Sequence, residues 1–178
     1  KNRGLNQETI TSFELGACTS SGPLIKFLKN KGISTKLMKE VGLINHANGN
    51  DYERFSGRVI FPIHDYQGKV IGFGGRIFQL NSKFAKYINT EETSLFNKRR
   101  LLYGIHKAKK FISSHDNVLV MEGYMDVIMS HQYGFHNSVA CMGTALTEEQ
   151  IKLIKRLTRN VCLVLDNDNA GLIATQKS

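Results

Sequence analysis

The residues best suited to chemistry in this chain are acidic side chains that directly follow short apolar runs. The runs span 118–121 and 161–165, and the acids that follow them are Glu122, Asp126, Asp166 and Asp168. Such runs are typical of buried strands in a parallel sheet, where functional groups lie at the carboxyl ends of the strands. Carboxylates gathered there would repel one another unless a cation lay between them. Because oxygen ligands suit Mg²⁺ or Mn²⁺, the pattern predicts metal-assisted phosphoryl or nucleotidyl transfer.

A helix N-cap is the plainer explanation for an acidic residue after a strand, and Asp166 or Asn169 could serve as one. The spacing of Asp166 and Asp168 favours a shared site over capping alone, because alternate side chains of an extended backbone point to the same face. Acids at two separate strand ends therefore favour a metal site over two unrelated caps.

The net charge of +9 is unevenly distributed along the 178 residues. Residues 1–117 carry 19 Lys and Arg against 9 Asp and Glu, a net charge of +10. Residues 118–178 carry 5 against 6, a net charge of −1. A generally basic, solvated surface would be the simpler explanation, but this asymmetry indicates a polyanion-binding half joined to a metal-binding half.

Composition excludes several classes of protein. No apolar stretch approaches the roughly 20 residues that span a bilayer, so we expect a cytoplasmic protein without a signal peptide or membrane contact. The three cysteines form no Cys-x-x-Cys pair, and we expect Cys141 and Cys162 to be reduced core residues. Because the chain lacks an initiator Met, we expect it to be an internal piece of a longer protein.

The elements that must position these residues follow from capping signals and periodicity. Short helices are predicted to open at Asn6, Ser21-Gly22-Pro23 and Ser34-Thr35. Residues 59–63 and 70–73 form β-rich runs joined by a turn, and 79–100 is polar and irregular. From Ile105 a helix leads into an alternation: strand 118–121, helix 124–133, strand 138–142, helix 147–158 and strand 161–165. This alternation predicts an α/β fold with a doubly wound, mainly parallel sheet.

Taken together, these segments resemble the RNA polymerase core of bacterial DnaG-type primases over almost the whole chain. The motifs that carry the resemblance are Arg3-Gly4-Leu5, Arg54-Phe55, Gly57-Arg58-Val59-Ile60-Phe61-Pro62-Ile63, Gly68-Lys69-Val70-Ile71-Gly72-Phe73-Gly74-Gly75-Arg76, Lys86-Tyr87-Ile88-Asn89, Leu102-Tyr103-Gly104, Glu122-Gly123-Tyr124-Met125-Asp126-Val127, Met142-Gly143-Thr144-Ala145-Leu146-Thr147 and Asp166-x-Asp168. The resemblance implies a basic mixed α+β subdomain over 1–116 and a truncated Toprim domain over 117–178. It also implies primer synthesis by the parent protein, with no synthesis by this piece alone.

The resemblance also implies roles for individual residues. Glu122, Asp166 and Asp168 would bind catalytic Mg²⁺ or Mn²⁺, with Asp126 as a further acidic group of the catalytic site. The positions expected to contact template or nucleotide are Arg3, Arg76, Lys86 and Lys98, flanked by Arg54 and Arg58. Glu91 departs from the family pattern, since it stands where a proline is usual.

The expected partners are single-stranded DNA template, ribonucleoside triphosphates and the RNA primer, at a bacterial replication fork. A zinc module and a helicase-binding C-terminal domain would lie outside this chain. The alternatives are another Toprim protein, such as a topoisomerase or an OLD-type nuclease, or a non-catalytic Toprim module that binds DNA. An aspartyl-phosphate enzyme built on Asp166 and Asp168 lacks the Thr or Val expected at the following positions.

Overall fold

The computed structural model describes residues 4–79, 83–143 and 145–165. These residues form two compact units, one built around an antiparallel sheet and one around a parallel sheet. The antiparallel-sheet unit comprises 14–63 and 70–96, and the parallel-sheet unit comprises the described residues of 1–13, 64–69 and 97–178. Each unit is therefore assembled from segments that are distant in sequence.

The elements are numbered here in chain order. The helices are α1 (Gln7–Ser12), α2 (Pro23–Asn30), α3 (Thr35–Glu40), α4 (Ile105–His115), α5 (Tyr124–Gln132) and α6 (Glu148–Lys155). No helix in the described ranges is long and apolar enough to cross a membrane. The strands are β1 (Gly16–Cys18), β2 (Ile44–Ala47), β3 (Asn50–Glu53), β4 (Arg58–His64), β5 (Val70–Ile77), β6 (Tyr87–Asn89), β7 (Val118–Met121), β8 (Ser138–Ala140) and β9 (Val161–Val164). A 3₁₀ turn spans Lys98–Arg100.

The first three helices begin where the capping signals predict. Asn6 Oδ1 accepts a hydrogen bond from the Thr9 N–H at 2.7 Å, and Ser34 Oγ accepts one from the Leu37 N–H at 3.2 Å. Pro23 occupies the start of α2, where a helix has no use for the N–H that proline lacks. Local side-chain chemistry therefore determines these three starting points.

The antiparallel sheet has the strand order β1-β4-β5-β6, and β2 pairs with β3 in a separate two-stranded hairpin. The β4–β5 hairpin is the one predicted from the sequence. Periodicity does not predict β1, β6 or the β2–β3 hairpin, since each of these strands has only three or four residues. The hairpin did leave a local signal: Asn48 and Gly49 adopt φ angles of +51° and +78°, as an Asn-Gly turn between strands requires.

The parallel sheet has the strand order β8-β7-β9. Val120 of the central strand pairs with Val139 on one side and with Leu163 on the other. From β7 the chain passes through α5 to β8, and then through α6 to β9 on the opposite side. This is the doubly wound arrangement that the sequence predicts, and the predicted α/β fold class is confirmed.

Both faces of the parallel sheet are covered by helices. Val120 belongs to a buried apolar cluster with Ile112 of α4 and Ile154 of α6. Met121, the next residue of β7, faces the other side, where its Sδ accepts a hydrogen bond from Ser130 Oγ of α5 at 3.3 Å. Because the faces are occupied by packing, the carboxyl edge of the sheet is the place left for functional groups.

One burial prediction is wrong. Cys141 is 5% exposed, as expected, but Cys162 is exposed. Cys162 lies on β9, which is the edge strand of the described sheet, and its neighbours Val161 and Val164 are 46% and 45% exposed. An edge strand has a paired neighbour on only one side, so an apolar run by itself does not determine burial.

Candidate active site and nucleic-acid interface

Glu122 lies at the carboxyl end of β7, where the chain turns into α5, and its side chain is half-buried. Asp126, one turn into α5, is exposed, and its Oδ2 accepts a hydrogen bond from the Gly123 N–H at 3.0 Å. Asp126 therefore caps the start of α5, which is a structural role that needs no metal ion. Since the cap uses one carboxylate oxygen, the same side chain can also contribute to an acidic site.

The pairing of β7 with β9 brings the start of the second acidic cluster to the same edge. Met121 pairs with Val164 in parallel register, so the chain leaves β9 at the edge where Glu122 lies. Asp166 and Asp168 follow in the sequence and lie outside the described residues. Within the described ranges, no group of three or more His, Cys, Asp or Glu side chains could hold a metal ion. The assignment of Glu122, Asp166 and Asp168 as metal ligands stays a prediction, as does that of Asp126 as a further acidic group of the site.

Cys141 follows β8 and lies close to this acidic edge. Burial and, second, the negative charge of Glu122 raise the pKa of the Cys141 thiol to about 11. The free thiol is therefore protonated at neutral pH. The Cys141 N–H donates to the Met121 carbonyl at 3.1 Å, which ties together the ends of β8 and β7.

Lys98 brings a positive charge to the same edge of the parallel sheet. Its Nζ lies 3.9 Å from the position that a Cβ on Gly143 would occupy. Gly143 has a φ of +78° and belongs to the loop that follows β8, so the ammonium lies beside that loop. An edge that combines Glu122 with a cation has the composition of a phosphoryl-transfer site.

In the antiparallel-sheet unit, two of the predicted binding residues flank an aromatic ring. Arg76 of β5 pairs across the strands with Tyr87 of β6, and Arg76 Cζ lies 5.8 Å from the centroid of the Tyr87 ring. Lys86 Nζ lies 5.9 Å from the same centroid, and Tyr87 is 37% exposed. Cations beside an accessible ring suit a single-stranded nucleic acid, because the cations bind phosphates and the ring stacks on a base. Sequence reasoning missed Tyr87 as a binding residue, although an aromatic residue directly after Lys86 was the available signal.

Arg58 is more deeply buried than Arg76 or Lys86. It is 6% exposed, and its Nη1 donates to the carbonyls of Ala85 at 3.0 Å, Gly75 at 3.3 Å and Lys86 at 3.5 Å. A Cβ on Gly75 would lie 2.6 Å from Phe55 and 3.0 Å from Arg58 Cδ, so glycine is needed for this close packing. Burial lowers the pKa of Arg58, and the nearby positive charge of a second arginine lowers it further. These contacts hold the backbone that leads into β6.

That second arginine, Arg54, holds the other end of β6. Its Nε and Nη2 donate to the Asn89 carbonyl at 3.1 and 2.9 Å, and its Nη1 pairs with Glu91 Oε1 at 2.5 Å. Arg54 is only 15% exposed at its side chain, whereas Glu91 is 68% exposed. The glutamate that departs from the family pattern thus supplies an ion-pair partner that a proline could not.

The predicted site residues are divided between the two units. Glu122, Asp126 and Lys98 lie in the parallel-sheet unit, and Arg54, Arg58, Arg76 and Lys86 lie in the antiparallel-sheet unit. Arg3, like Asp166 and Asp168, lies outside the described residues. The domain boundary between 116 and 117 stays a prediction; the parallel-sheet unit also draws on segments before that boundary.

Two protein families match the chain in succession. Residues 1–109 match the family described as DNA primase catalytic core, N-terminal domain. Residues 119–178 match the family described as Toprim-like. Both parts of the resemblance noted in the sequence are therefore confirmed.

Individual relatives agree with the family matches. The DNA primase of Deinococcus radiodurans is 47% identical over 179 residues, which cover 98% of this chain and 31% of that protein. The chain thus spans about a third of the length of such relatives. The Aquifex aeolicus primase structure, with zinc-binding and RNA polymerase domains, matches with a TM-score of 0.91 at 35% identity, covering 98% of this chain and 43% of that one. A DnaG primase catalytic domain bound to single-stranded DNA matches with a TM-score of 0.85 at 38% identity, covering 98% and 55%.

Proposed function

Since the chain belongs to the family of the DNA primase catalytic core, we propose that the complete protein is a DNA primase. A primase synthesises short RNA primers on single-stranded DNA for replication, by nucleotidyl transfer. The observation that carries the proposal is the position of Glu122 and Lys98 at one carboxyl edge of a parallel, Toprim-like sheet. The match of residues 1–109 to a primase domain favours this function over a topoisomerase, an OLD-type nuclease or a non-catalytic Toprim module.

Toprim-like domains and primases generally use divalent metal ions, and the donor chemistry of this edge fits them. Glu122 supplies carboxylate oxygens, which hard divalent cations prefer to a sulfur ligand such as Cys141. We assign Glu122, Asp166 and Asp168 as the ligands of Mg²⁺ or Mn²⁺, with Asp126 beside them. When bound, the cation neutralises charge on the incoming triphosphate and acidifies the primer 3′-hydroxyl.

The remaining residues bind and orient the polyanionic substrates. Lys98, at the acidic edge, pairs with phosphate oxygens of the incoming ribonucleotide. Arg76 and Lys86 pair with phosphates of the template, and Tyr87 stacks on one of its bases. These contacts position the strand without reading its sequence, as a primase that acts at many sites requires. Arg3 is assigned to the same task.

The partners that follow are single-stranded DNA, ribonucleoside triphosphates and the RNA primer. The related catalytic domain solved with single-stranded DNA supports the first of these. A replicative helicase and a zinc module would engage parts of the protein outside this chain, in the cytoplasm of a bacterium at the replication fork.

The test is Glu122→Gln in the complete protein, assayed for primer synthesis and for binding of single-stranded DNA. We expect synthesis to fall by at least about a hundredfold, because the charge that holds the cation is lost. DNA affinity should stay within about twofold, because phosphate contacts lie elsewhere. Glu148→Gln, an 88% exposed carboxylate in the same unit, is the matched control and should synthesise primers normally. Near-normal synthesis by Glu122→Gln would contradict the proposal.

A further inference from the structure

We propose that Gln150 is a positioning residue for Lys98, so that the first turn of α6 determines where this lysine lies. The inference rests on the proposed role of Lys98 in holding nucleotide phosphate. Gln150 is the third residue of α6, and its side chain is 0% exposed. A fully buried amide is costly unless both its oxygen and its nitrogen are hydrogen-bonded, so its partners show what it does.

The amide nitrogen of Gln150 binds the backbone on both sides of the 3₁₀ turn that carries Lys98. Gln150 Nε2 donates to the Leu101 carbonyl at 2.7 Å and to the Lys98 carbonyl at 3.3 Å. On the other side of the amide, Gln150 Oε1 accepts a hydrogen bond from the Thr147 N–H at 3.0 Å. The side chain therefore links the start of α6 to the two ends of the turn.

Thr147, the N-cap of α6, strengthens this link. Its Oγ1 accepts a hydrogen bond from the Gln150 N–H at 3.2 Å and donates one to the Arg99 carbonyl at 2.6 Å. The turn has two hydrogen bonds of its own: the Arg100 N–H donates to the Asn97 carbonyl at 3.1 Å, and the Leu101 N–H donates to the Lys98 carbonyl at a longer 3.5 Å. Side chains at the start of α6 thus bind the carbonyls of Lys98, Arg99 and Leu101, where the hydrogen bonding of the turn itself is weakest.

The residue type at position 150 distinguishes the positioning of the turn from ordinary helix capping. In a capping box, Glu and Gln serve equally well at this position, since either accepts a hydrogen bond from the N-cap backbone. Only an amide can also donate to the carbonyls of Lys98 and Leu101. A glutamate would complete the cap and at the same time place negative charge against two carbonyl oxygens. The requirement for glutamine therefore comes from the turn, and not from the helix.

The position of the turn affects the acidic edge because it determines where the ammonium of Lys98 lies. A lysine has a flexible four-carbon stem, and the region that its ammonium can reach is set by its backbone. With the turn fixed, Lys98 Nζ lies beside Gly143 in the loop that follows β8. Releasing the turn should widen the range of ammonium positions and weaken phosphate binding, while the carboxylates and the sheet stay as they are.

The experiment measures kcat and the KM for ribonucleoside triphosphate in primer synthesis by the complete protein. The variants are Gln150→Glu, Gln150→Met, Lys98→Ala and the two Gln150 variants in the Lys98→Ala background. Gln150→Met adds no charge, so it keeps the inference testable if Gln150→Glu fails to fold. Gln7→Glu, the same substitution at an exposed position of the same unit, is the matched control.

We expect each Gln150 variant to raise the KM roughly fivefold or more, with a smaller change in kcat, because two hydrogen bonds that hold the lysine are lost. In the Lys98→Ala background the same substitutions should raise the KM no further, whereas Gln7→Glu should change neither constant.

An unchanged KM in both Gln150 variants, or full additivity with Lys98→Ala, would overturn the inference and leave the proposed function standing. If Lys98→Ala itself left the KM unchanged, both the role of Lys98 and the inference would fall. The proposed function would then rest on the separate Glu122 test.

Discussion

The guanidinium of Arg58 donates a hydrogen bond to the backbone carbonyl of Ala85 at 3.0 Å. This contact joins β4 to the segment that carries Lys86 and Tyr87, the residues that face the proposed template. Because Arg58 is 6% exposed, it supports the binding surface from beneath and presents little charge at it. Basic residues that look alike in the sequence thus divide into those that contact solvent and those that hold the backbone.

Arg58→Lys should therefore lower the affinity for single-stranded DNA without changing its dependence on salt. The lysine keeps the charge but cannot donate to several carbonyls at once, so the backbone before β6 loosens, at a cost of about 1–3 kcal/mol in stability. Lys86→Ala should instead reduce the magnitude of the salt slope by about 0.7, since one phosphate contact is lost. The measurement is DNA affinity by fluorescence anisotropy over a series of salt concentrations. A reduced slope in Arg58→Lys would mean that Arg58 itself contacts phosphate.

Tyr87→Leu should weaken binding of single-stranded DNA by about 1–3 kcal/mol, because a base loses its stacking partner. Tyr87→Phe should bind nearly as well as the wild type, since the ring remains. Tyr133→Leu, at a tyrosine that is 69% exposed in the parallel-sheet unit, is the control and should have no effect. Equal losses from Tyr87→Leu and Tyr133→Leu would argue against a defined stacking site.

Asp126→Asn should separate capping from catalysis. The asparagine keeps an oxygen that can accept the Gly123 N–H, so the thermal stability of the protein should change little. If Asp126 also belongs to the acidic site, removal of its negative charge should lower primer synthesis by about tenfold or more. The two measurements are thermal unfolding and primer synthesis on the same preparation. Normal synthesis with normal stability would assign Asp126 to capping alone.

Acid should destabilise the parallel-sheet unit through His131. Burial lowers the pKa of His131 from 6.5 to about 4, helped by the neighbouring His136 and Lys107, although its hydrogen bond to the Ser138 carbonyl acts in the opposite direction. The fold therefore favours the neutral ring. The resulting stability is complete above pH 6.5 and is lost as the pH falls toward 4. At pH 5 the expected loss is about 2 kcal/mol relative to neutral pH.

The measurement is urea unfolding, followed by circular dichroism, at pH 7.5 and pH 5.0. His131→Gln is the comparison variant, since its amide can donate to the Ser138 carbonyl and does not titrate. The pH-dependent loss should be about 2 kcal/mol smaller in this variant than in the wild type. The same loss in both proteins would mean that other groups cause the acid sensitivity.

Local chemistry made much of this fold predictable. The starts of α1, α2 and α3 depend on Asn6, Pro23 and Ser34, which act on backbone within three residues of themselves. The alternation of strands and helices after Ile105 follows from apolar runs long enough to show a period. The short strands β1 and β6 could not be predicted in this way, because their pairing partners lie far away in the sequence. The exposure of Cys162 likewise depends on which strand forms the sheet edge.

The sequence by itself determined that carboxylates follow two apolar strands, that positive charge gathers in the first two thirds of the chain, and that the motifs are those of a primase core. Tertiary structure decided what each residue does within these groups. The partners of Arg58 and Gln150 are carbonyls 17–28 and 49–52 residues away, which no local pattern specifies. Type and spacing fix the chemistry that a side chain can perform, whereas strand register and packing fix which atoms it meets. Only the folded chain therefore distinguishes an arginine that lies beside an accessible aromatic ring from one that holds a strand.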